Sequence, residues 1–362
     1  MNDEGRTISA PVGGLAVNDE GRTMLAAVYE GDQAVLVREL PVPEPGEGDV
    51  LIGVSHCGIC GSDLHFVVEG WSKPGSVHGH EYSGVIVALG PGTDGWRVGD
   101  RVVGGPGRGC GHCRQCAAGL VHLCANRGRP GEAPFQGAFA TYKRLSVDQL
   151  FRVPDGLDLR FAALAEPVAV ALRGVRRSGA RAGDRVLVTG AGPIGLFTVA
   201  VLRAQGVDDV TVSEPAPLRQ QRAAAVGATT VVAPEALRAP DSPTVVIDHP
   251  YQAAIECSGR AEAMVAALGQ LDRQGVLVFS GTGMVRPQLD HLRIILNELV
   301  VTGSLEYTRE DFQDALDLLS SGRLPLERLV EPDDVPLSAV ADAMLRLASG
   351  QLAGKVLVVP RA

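Results

Sequence analysis

The pattern of apolar and polar residues changes near residue 161. Before that point, short apolar stretches such as AVLVREL (34–40) and YSGVIVALG (82–90) alternate with Pro and Gly. Short apolar runs bounded by turn residues predict strands joined by tight turns. We therefore expect a β-rich, barrel-like unit with many loops, beginning near Met24.

After residue 161, helical and strand patterns alternate. FAALAEPVAVALRGV (161–175) has helical apolar spacing, whereas RVLVT (185–189) is typical of a buried strand that leads through a glycine turn into a helix. Later strands are predicted in DDVTVSEP (208–215), TVVIDHPYQAAIECSG (244–259), GVLVFSGT (275–282) and LVVTGSL (299–305). Strands that alternate with helices predict a parallel sheet built from βαβ units. The tail, which ends in KVLVVP (355–360), is expected to return to the β-rich unit.

Length and charge restrict the function. A chain of 362 residues suggests two domains, and a net charge of -9 argues against nucleic-acid binding. The sequence contains neither a secretory signal nor an apolar run long enough to cross a membrane, so we expect a cytoplasmic enzyme. NDEGRT occurs at 2–7 and again at 18–23, and we expect residues 1–23 to form a flexible extension.

A glycine-rich turn predicts a dinucleotide site. Gly190, Gly192 and Gly195 form G-x-G-x-x-G between a strand and a helix, and Pro193 and Ile194 begin that helix. In this context the glycines allow a tight turn, a close approach to pyrophosphate and close helix–strand packing. A glycine turn that binds no nucleotide is the alternative.

The choice of cofactor depends on the residues that follow the second strand. Glu214 lies 24 residues after Gly190, where a carboxylate can bind ribose hydroxyls and repel the 2′-phosphate of NADP. NAD is therefore predicted over NADP, although Arg219 and Arg222 could offset the repulsion. Cys257 and Ser280 complete the predicted cofactor site.

Four of the seven cysteines occur within residues 107–124, in the spacing C-x2-C-x2-C-x7-C. Disulfides, redox chemistry, an iron–sulfur cluster and zinc are the possible explanations. The spacing matches neither ferredoxin pattern, and four thiolates can close a tetrahedral shell around zinc. We predict a structural zinc site formed by Cys110, Cys113, Cys116 and Cys124, with His112 and His122 as surface residues.

A second group of polar residues is more scattered. CGICGSDLH contains Cys57, Cys60, Ser62, Asp63 and His65; GHE contains His80 and Glu81; and AEP contains Glu166. A catalytic zinc needs about three protein ligands and one open position, which cysteine, histidine and glutamate can supply. A redox pair of Cys57 and Cys60 is the alternative.

The motifs CGICGSDLH, GHE, the four-cysteine segment, AEP and GAGPIG occur in an order that resembles the zinc-dependent medium-chain alcohol dehydrogenase family. The glutamate of AEP is more similar to the sorbitol and threonine dehydrogenase branch. The resemblance implies an α/β protein with a GroES-like β-rich catalytic domain (24–170 and 306–362) and a Rossmann NAD-binding domain (171–305). It also implies two zinc ions per chain and a homotetramer or homodimer. We expect the interface at an edge strand near residues 276–305, which could pair across a two-fold axis.

The resemblance also implies roles for individual residues. Cys60 and His80 match ligands of the catalytic zinc, and Glu81 and Glu166 match further ligand positions. Ser62 and His65 match a proton relay, and Asp63 a carboxylate that supports a ligand. The expected reaction transfers hydride from a primary or secondary alcohol, such as a polyol, sugar or amino alcohol, to NAD. A zinc-free quinone or enoyl reductase and a non-catalytic zinc- and nucleotide-binding regulator are the alternatives.

Overall fold

The computed structural model describes residues 23–107, 109–127 and 135–361. The predicted extension therefore lies outside the described residues, except for Thr23, which begins the first strand. Within the described ranges, no helix is long and apolar enough to cross a membrane.

The described residues of the first half form eight strands, three short α-helices and one longer α-helix. They are β1 (Thr23–Gly31), β2 (Ala34–Pro41), β3 (Asp49–Gly58), α1 (Gly61–Val67), β4 (Ser76–Val77), β5 (Glu81–Leu89), β6 (Arg101–Gly104), α2 (Arg114–Ala117), β7 (Tyr142–Ser146), β8 (Leu150–Arg152), α3 (Leu159–Ala162) and α4 (Ala165–Ser178), the last of which is longer.

The second half alternates strands and helices before it ends in a short strand. Its elements are β9 (Arg185–Thr189), α5 (Pro193–Ala204), β10 (Asp209–Ser213), α6 (Pro217–Val226), β11 (Thr230–Val232), β12 (Tyr251–Glu256), α7 (Ala261–Gly269), β13 (Leu271–Phe279), α8 (His291–Leu296), β14 (Val300–Gly303), α9 (Arg309–Ser320), α10 (Leu326–Leu329), β15 (Val335–Pro336), α11 (Val340–Ala348) and β16 (Leu357–Val359).

Six strands form a parallel sheet in the order β11-β10-β9-β12-β13-β14. This is the 3-2-1-4-5-6 order of doubly wound nucleotide-binding sheets, with β9 as the first strand. The order reverses between β9 and β12, so the glycine turn after β9 opens at the carboxyl edge where such sheets bind ligands. The predicted parallel sheet is confirmed.

The other strands form a three-stranded sheet, β2-β1-β4, and a seven-stranded sheet in which β15-β16-β3-β5-β6-β8 are neighbours and β7 pairs with β3. The β-rich unit predicted for the first half is thus confirmed. The tail returns to it as expected, because β16 pairs with β3 at Cys57 and Gly58, the start of CGIC. A hydrophobic core that includes Phe151, Leu172, Phe197 and Phe312 joins this unit to the parallel sheet.

Several element boundaries differ from the predictions, and two of the differences affect the site or the parallel sheet. The helix predicted over 161–175 is divided into α3 and α4, which places Glu166 in the first turn of the longer helix. The strand predicted over 244–259 begins only at Tyr251. Pro250 precedes it, and proline cannot donate a ladder hydrogen bond, so the apolar residues 244–247 remain outside the sheet.

Candidate active site and metal centres

Cys60 lies between the end of β3 and the start of α1. It occupies the N-cap position of α1, and its backbone N–H donates to Asp63 Oδ2 at 2.9 Å. A carboxylate that accepts such an N–H satisfies a backbone group that the helix leaves unpaired. The backbone at Cys60 is thereby fixed, and Ser62 and His65 follow on the same helix.

His80 and Glu81 reach Cys60 because their strands are neighbours. In the antiparallel pair of β3 and β5, Gly58 lies opposite Glu81. The ligand atoms of Cys60, His80 and Glu81 lie within 4.8 Å of one another. His80 Nδ1 also lies 3.6 Å from Oδ1 of the fully buried Asp63. Three of the four predicted catalytic ligands are therefore brought together, with Asp63 behind the histidine.

The carboxylate of Glu81 is the least expected part of this group. Glu81 is completely buried, its Oε1 accepts a hydrogen bond from Lys355 Nζ at 2.6 Å, and its Oε2 has no hydrogen-bond partner among the described residues. A buried polar atom without a partner is costly unless something binds it. Thiolate, imidazole and carboxylate are the donors zinc prefers, so these residues fit a zinc ion.

Glu166 approaches the same site from α4 but lies outside this three-residue cluster. Burial raises the pKa of its carboxyl to about 7, and the charge of nearby His80 opposes that rise. The pKa of the buried Tyr307 hydroxyl is raised well above its ordinary value by burial and by its interactions with Glu166. Glu166 therefore lies near the cluster, and its carboxyl group also interacts with the Tyr307 hydroxyl.

The predicted relay residues lie on α1. Ser62 is half-buried, and the His65 ring nitrogen Nδ1 lies 2.8 Å from Glu69 Oε1. The His65 ring stacks on the exposed Trp71, with ring centroids 5.2 Å apart. His65 is therefore held at the protein surface, where it can exchange protons with solvent.

The four-cysteine segment forms a second cluster. The sulfur atoms of Cys110, Cys113, Cys116 and Cys124 lie within 4.8 Å of one another, and all four are free thiols. Backbone N–H groups of Cys110, Cys113 and Cys116 donate to neighbouring sulfurs at 3.3–3.4 Å. Converging sulfurs that accept such hydrogen bonds fit a closed zinc shell.

The thiols of Cys110 and Cys116 differ in how readily they ionise. The Asn126 amide, 3.2 Å from Cys110 Sγ, lowers the pKa of that thiol to about 5, whereas desolvation raises the pKa of Cys116 to about 11. A cation would favour all four thiolates. The expectation that both nearby histidines lie at the surface is wrong for His122, which is buried, while His112 is exposed.

The glycine turn after β9 has the geometry that its motif requires. Gly190 has φ +89°, and a Cβ built there would approach the Ser258 backbone N to 3.0 Å. A Cβ on Gly195 would lie 2.0 Å from the Gly190 carbonyl oxygen. Pro193 is the first residue of α5, so the free N–H groups of that helix end face the turn.

Glu214 is bound to the backbone of this turn. Its Oε2 accepts a hydrogen bond from Ala191 N at 2.8 Å, and its Oε1 accepts one from Ala216 N at 2.9 Å. Arg219 donates to the Leu347 carbonyl, and Arg222 pairs with Glu331 at 3.1 Å. Both arginines are therefore held by residues of the tail.

Cys257 and Ser280 lie at the carboxyl ends of neighbouring strands. Cys257 Sγ is 3.7 Å from Thr198 Oγ1, and burial raises the pKa of this thiol to about 12, so it remains a neutral packing group. Ser280 Oγ is buried without a partner among the described residues. Both residues lie at the edge of the sheet that carries the glycine turn.

Comparison with known proteins agrees with this arrangement. Residues 46–155 match the alcohol dehydrogenase GroES-like domain, and residues 193–321 match the zinc-binding dehydrogenase family. The chain is 33% identical to the sorbitol dehydrogenase of Bacillus subtilis over 336 residues, covering 90% of this chain and 94% of that protein. The chain belongs to the zinc-dependent medium-chain alcohol dehydrogenase family.

Solved structures extend the comparison with this family. A zinc-binding dehydrogenase from Sinorhizobium meliloti, bound to NADP, superposes with a TM-score of 0.83 at 32% identity, covering 94% of this chain and 100% of that one. The 2R,3R-butanediol dehydrogenase of Bacillus subtilis gives a TM-score of 0.82 at 30% identity, covering 93% and 99%. Membership confirms the resemblance drawn from the motifs, and the protein is a zinc- and NAD(P)-dependent oxidoreductase of the sorbitol dehydrogenase-like branch.

Two residues that contact the predicted ligands, Tyr307 and Lys355, were not predicted from the sequence. Lys355 precedes β16 and contacts Glu81, from which it is 274 residues distant in sequence. The only local signal is a lysine next to a buried apolar strand, which ordinarily indicates a solvated strand end. Its burial depends on the pairing of β16 with β3.

Proposed function

We propose that this dehydrogenase oxidises a secondary alcohol that carries a neighbouring hydroxyl group, and that NAD accepts the hydride. The observation that carries the proposal is the cluster of Cys60, His80 and Glu81 beside the buried Asp63. The relatives described above act on sorbitol and on 2R,3R-butanediol, which both contain adjacent hydroxyls. A regulator without turnover has no need of a polar relay at such a centre.

Cys60, His80 and Glu81 would hold the catalytic zinc, and Glu166 would be a further ligand that acts directly or through water. Bound zinc supplies a Lewis acid that lowers the pKa of the substrate hydroxyl. Ser62 accepts the proton of that hydroxyl while its own hydroxyl proton passes towards His65, which releases a proton to solvent. Asp63 orients the His80 ring, as carboxylates commonly do for metal-binding histidines.

Cys110, Cys113, Cys116 and Cys124 would hold a second, structural zinc. Four thiolates leave no position open for substrate, so this ion would stabilise its loop and take no part in the reaction. A cytoplasmic location belongs to the proposal, because a reducing compartment keeps these thiols available to metal.

NAD is the proposed cofactor because the end of β10 offers a carboxylate, and the two arginines that follow it donate to residues of the tail. Glu214 lies where the ribose hydroxyls would bind, and the neighbouring Arg219 and Arg222 are held by Leu347 and Glu331. The 2′-phosphate of NADP would meet negative charge there. We propose that the cofactor site comprises Gly190, Gly192, Pro193, Ile194, Gly195, Glu214, Arg219, Cys257 and Ser280, in a nucleotide-binding domain of residues 171–305 beside a catalytic domain of 24–170 and 306–362.

The test is a substrate screen that follows NADH formation by absorbance. Sorbitol, xylitol and 2R,3R-butanediol should be oxidised with NAD at a higher kcat/KM than ethanol or other lone alcohols. Preference for a lone alcohol would overturn the substrate class, and higher kcat/KM with NADP would overturn the cofactor assignment. Absence of turnover in zinc-loaded protein would instead favour a binding protein.

Gly195→Ala should weaken cofactor binding without removing the metals. The new Cβ would lie 2.0 Å from the Gly190 carbonyl, so α5 must move away from the turn and the phosphate site widens. We expect the NAD dissociation constant, measured by calorimetry, to rise about 10-fold or more, which corresponds to a loss of about 1.4 kcal/mol in binding free energy. Gly269→Ala, at the end of α7, is the control, because a Cβ there meets no atom closer than 3.6 Å among the described residues. Unchanged NAD affinity in Gly195→Ala would contradict the assigned phosphate site.

We also propose a homodimer in which the exposed edge of the parallel sheet faces a second copy. Strand β14 is the last of that sheet, and exposed apolar side chains lie on and around it: Met284, Val285, Leu292, Ile295, Leu296, Val300 and Leu305. Unpaired strand edges and apolar patches favour pairing across a two-fold axis.

Ile295→Asp should convert the dimer into a monomer. The Ile295 side chain is 64% exposed in one chain, and a carboxylate placed there would be buried by the partner. Light scattering should show the molecular mass reduced by half. Leu36→Asp places the same charge on β2, away from this edge, and should leave the mass unchanged. A wild-type monomer, or an Ile295→Asp dimer, would contradict the interface.

A further inference from the structure

Lys355 is a buried lysine beside the candidate catalytic zinc site. Its side chain is 1% exposed, and its ammonium group donates to Glu81 Oε1 at 2.6 Å and to the Ile59 carbonyl at 2.9 Å. A buried charge persists only when it is paired and hydrogen bonded. The fold therefore directs the whole ammonium group to one oxygen of Glu81 and to the backbone beside Cys60.

Three neighbouring strands create this contact. Leu357 of β16, Gly58 of β3 and Glu81 of β5 lie in register across the sheet. A Cβ on Gly58 would lie 2.1 Å from Glu81 Oε2, so only glycine leaves space for the carboxylate there. Lys355 reaches the carboxylate from the far side of β3.

The two oxygens of Glu81 consequently have different surroundings. Oε1 accepts the lysine hydrogen bond, whereas Oε2 is buried and has no partner among the described residues. The carboxylate lies within 4.8 Å of the ligand atoms of Cys60 and His80. Oε2 is thus the oxygen available to a metal held by that pair.

The backbone of Lys355 is fixed as firmly as its side chain. Its N–H donates to Leu329 O at 2.9 Å, and its carbonyl accepts from Glu331 N at 2.8 Å. The Glu331 side chain accepts the N–H groups of Ala353 and Gly354 at 3.1 and 2.6 Å, and also pairs with Arg222. The backbone from which the Lys355 side chain extends is therefore held by contacts that do not involve Glu81.

We propose that Lys355 is a positioning residue for the catalytic metal centre, an inference that rests on the proposed zinc-dependent function. By holding Glu81 Oε1, it presents Oε2 alone to the metal and prevents Glu81 from turning away or binding through both oxygens. Hydrogen-bonding partners of metal ligands commonly contribute to metal affinity in this way.

A double-mutant cycle tests the proposal with wild type, Lys355→Met, Glu81→Gln and the double variant. The measured quantity is the dissociation constant of the more weakly held zinc, obtained by competition with a chelator at fixed pH. In the wild-type background, Lys355→Met should raise this constant about 10–100-fold. In the Glu81→Gln background, Lys355→Met should change the zinc dissociation constant by less than about 3-fold, because Glu81, through which Lys355 acts, is already altered. Equal effects in both backgrounds, or unchanged or tighter zinc binding in Lys355→Met, would overturn the proposal.

Control variants separate positioning from folding. Lys143→Met removes another lysine of the β-rich unit that does not contact Glu81, and should leave both zinc affinities unchanged. Lys355→Arg should retain most of the affinity because it keeps a cationic donor. If Lys355→Met does not fold, Gly58→Ala moves Glu81 Oε2 from the other side and should also weaken the site about 10-fold or more. Unaltered affinity in folded Gly58→Ala would overturn the proposal.

Turnover measured in the same preparations distinguishes a failure of the proposed function from a failure of the positioning role. Wild-type protein that binds two zinc ions but oxidises no alcohol would refute the proposed function and leave the zinc cycle interpretable. Active wild type with no coupling between Lys355 and Glu81 would refute only the positioning role.

Discussion

Cys60→Ala should lower kcat by about 1000-fold or more while NAD still binds. Removal of the thiolate leaves the catalytic ion with too few donors, and polarisation by a bound metal contributes several kcal/mol to the transition state, which corresponds to about three powers of ten. Elemental analysis should show about two zinc ions per wild-type chain and about one in Cys60→Ala. NAD affinity should remain within about 2-fold, because Cys60 caps α1, whereas the glycine turn precedes α5.

Cys57→Ala is the matched control for this result. Cys57 lies three residues before Cys60 but is fully buried, and burial raises the pKa of its thiol well above the ordinary value. It should retain both zinc ions and most activity, with a modest loss of stability. Equal inactivation of both variants with zinc retained would instead indicate a redox pair. Near-normal activity in Cys60→Ala would refute the catalytic assignment.

Cys116→Ala should destabilise the protein with a smaller effect on the chemistry. Loss of a structural metal destabilises a protein more than an ordinary single substitution does, so we expect the free energy of unfolding to fall by about 4 kcal/mol. For domains of this size, that cost lowers Tm by about 8–16 °C. Calorimetry and zinc content measure it: one zinc should remain, and the folded fraction should still oxidise alcohol.

His112→Ala tests whether this effect belongs to the metal shell. His112 is exposed in the same segment, and its Nδ1 contacts the Cys110 carbonyl at 2.8 Å without completing the cluster. It should retain two zinc ions and nearly the wild-type Tm. Loss of zinc in His112→Ala, or an unchanged Tm in Cys116→Ala, would contradict a structural site formed by the four sulfurs.

The sequence alone predicted the features in which neighbours along the chain form the structure. The four cysteines occur within fifteen residues, so their spacing already indicates a common shell. The glycine turn is a similar case. Gly190 and Gly195 are close in sequence, and their steric roles follow from the spacing of the motif. Alternation of strands and helices likewise predicted the parallel sheet.

Tertiary structure decided the features that depend on which distant strands are neighbours. The pairing of β16 with β3 brings Lys355 to Glu81 and distinguishes the two carboxylate oxygens. Packing determined that His122 is buried, that Arg219 and Arg222 are held by the tail, and that residues 244–247 stay outside the sheet despite their apolar sequence. Periodicity and motif spacing predict contacts between residues that are close in sequence. The order of the strands in a sheet brings residues hundreds of positions apart into contact.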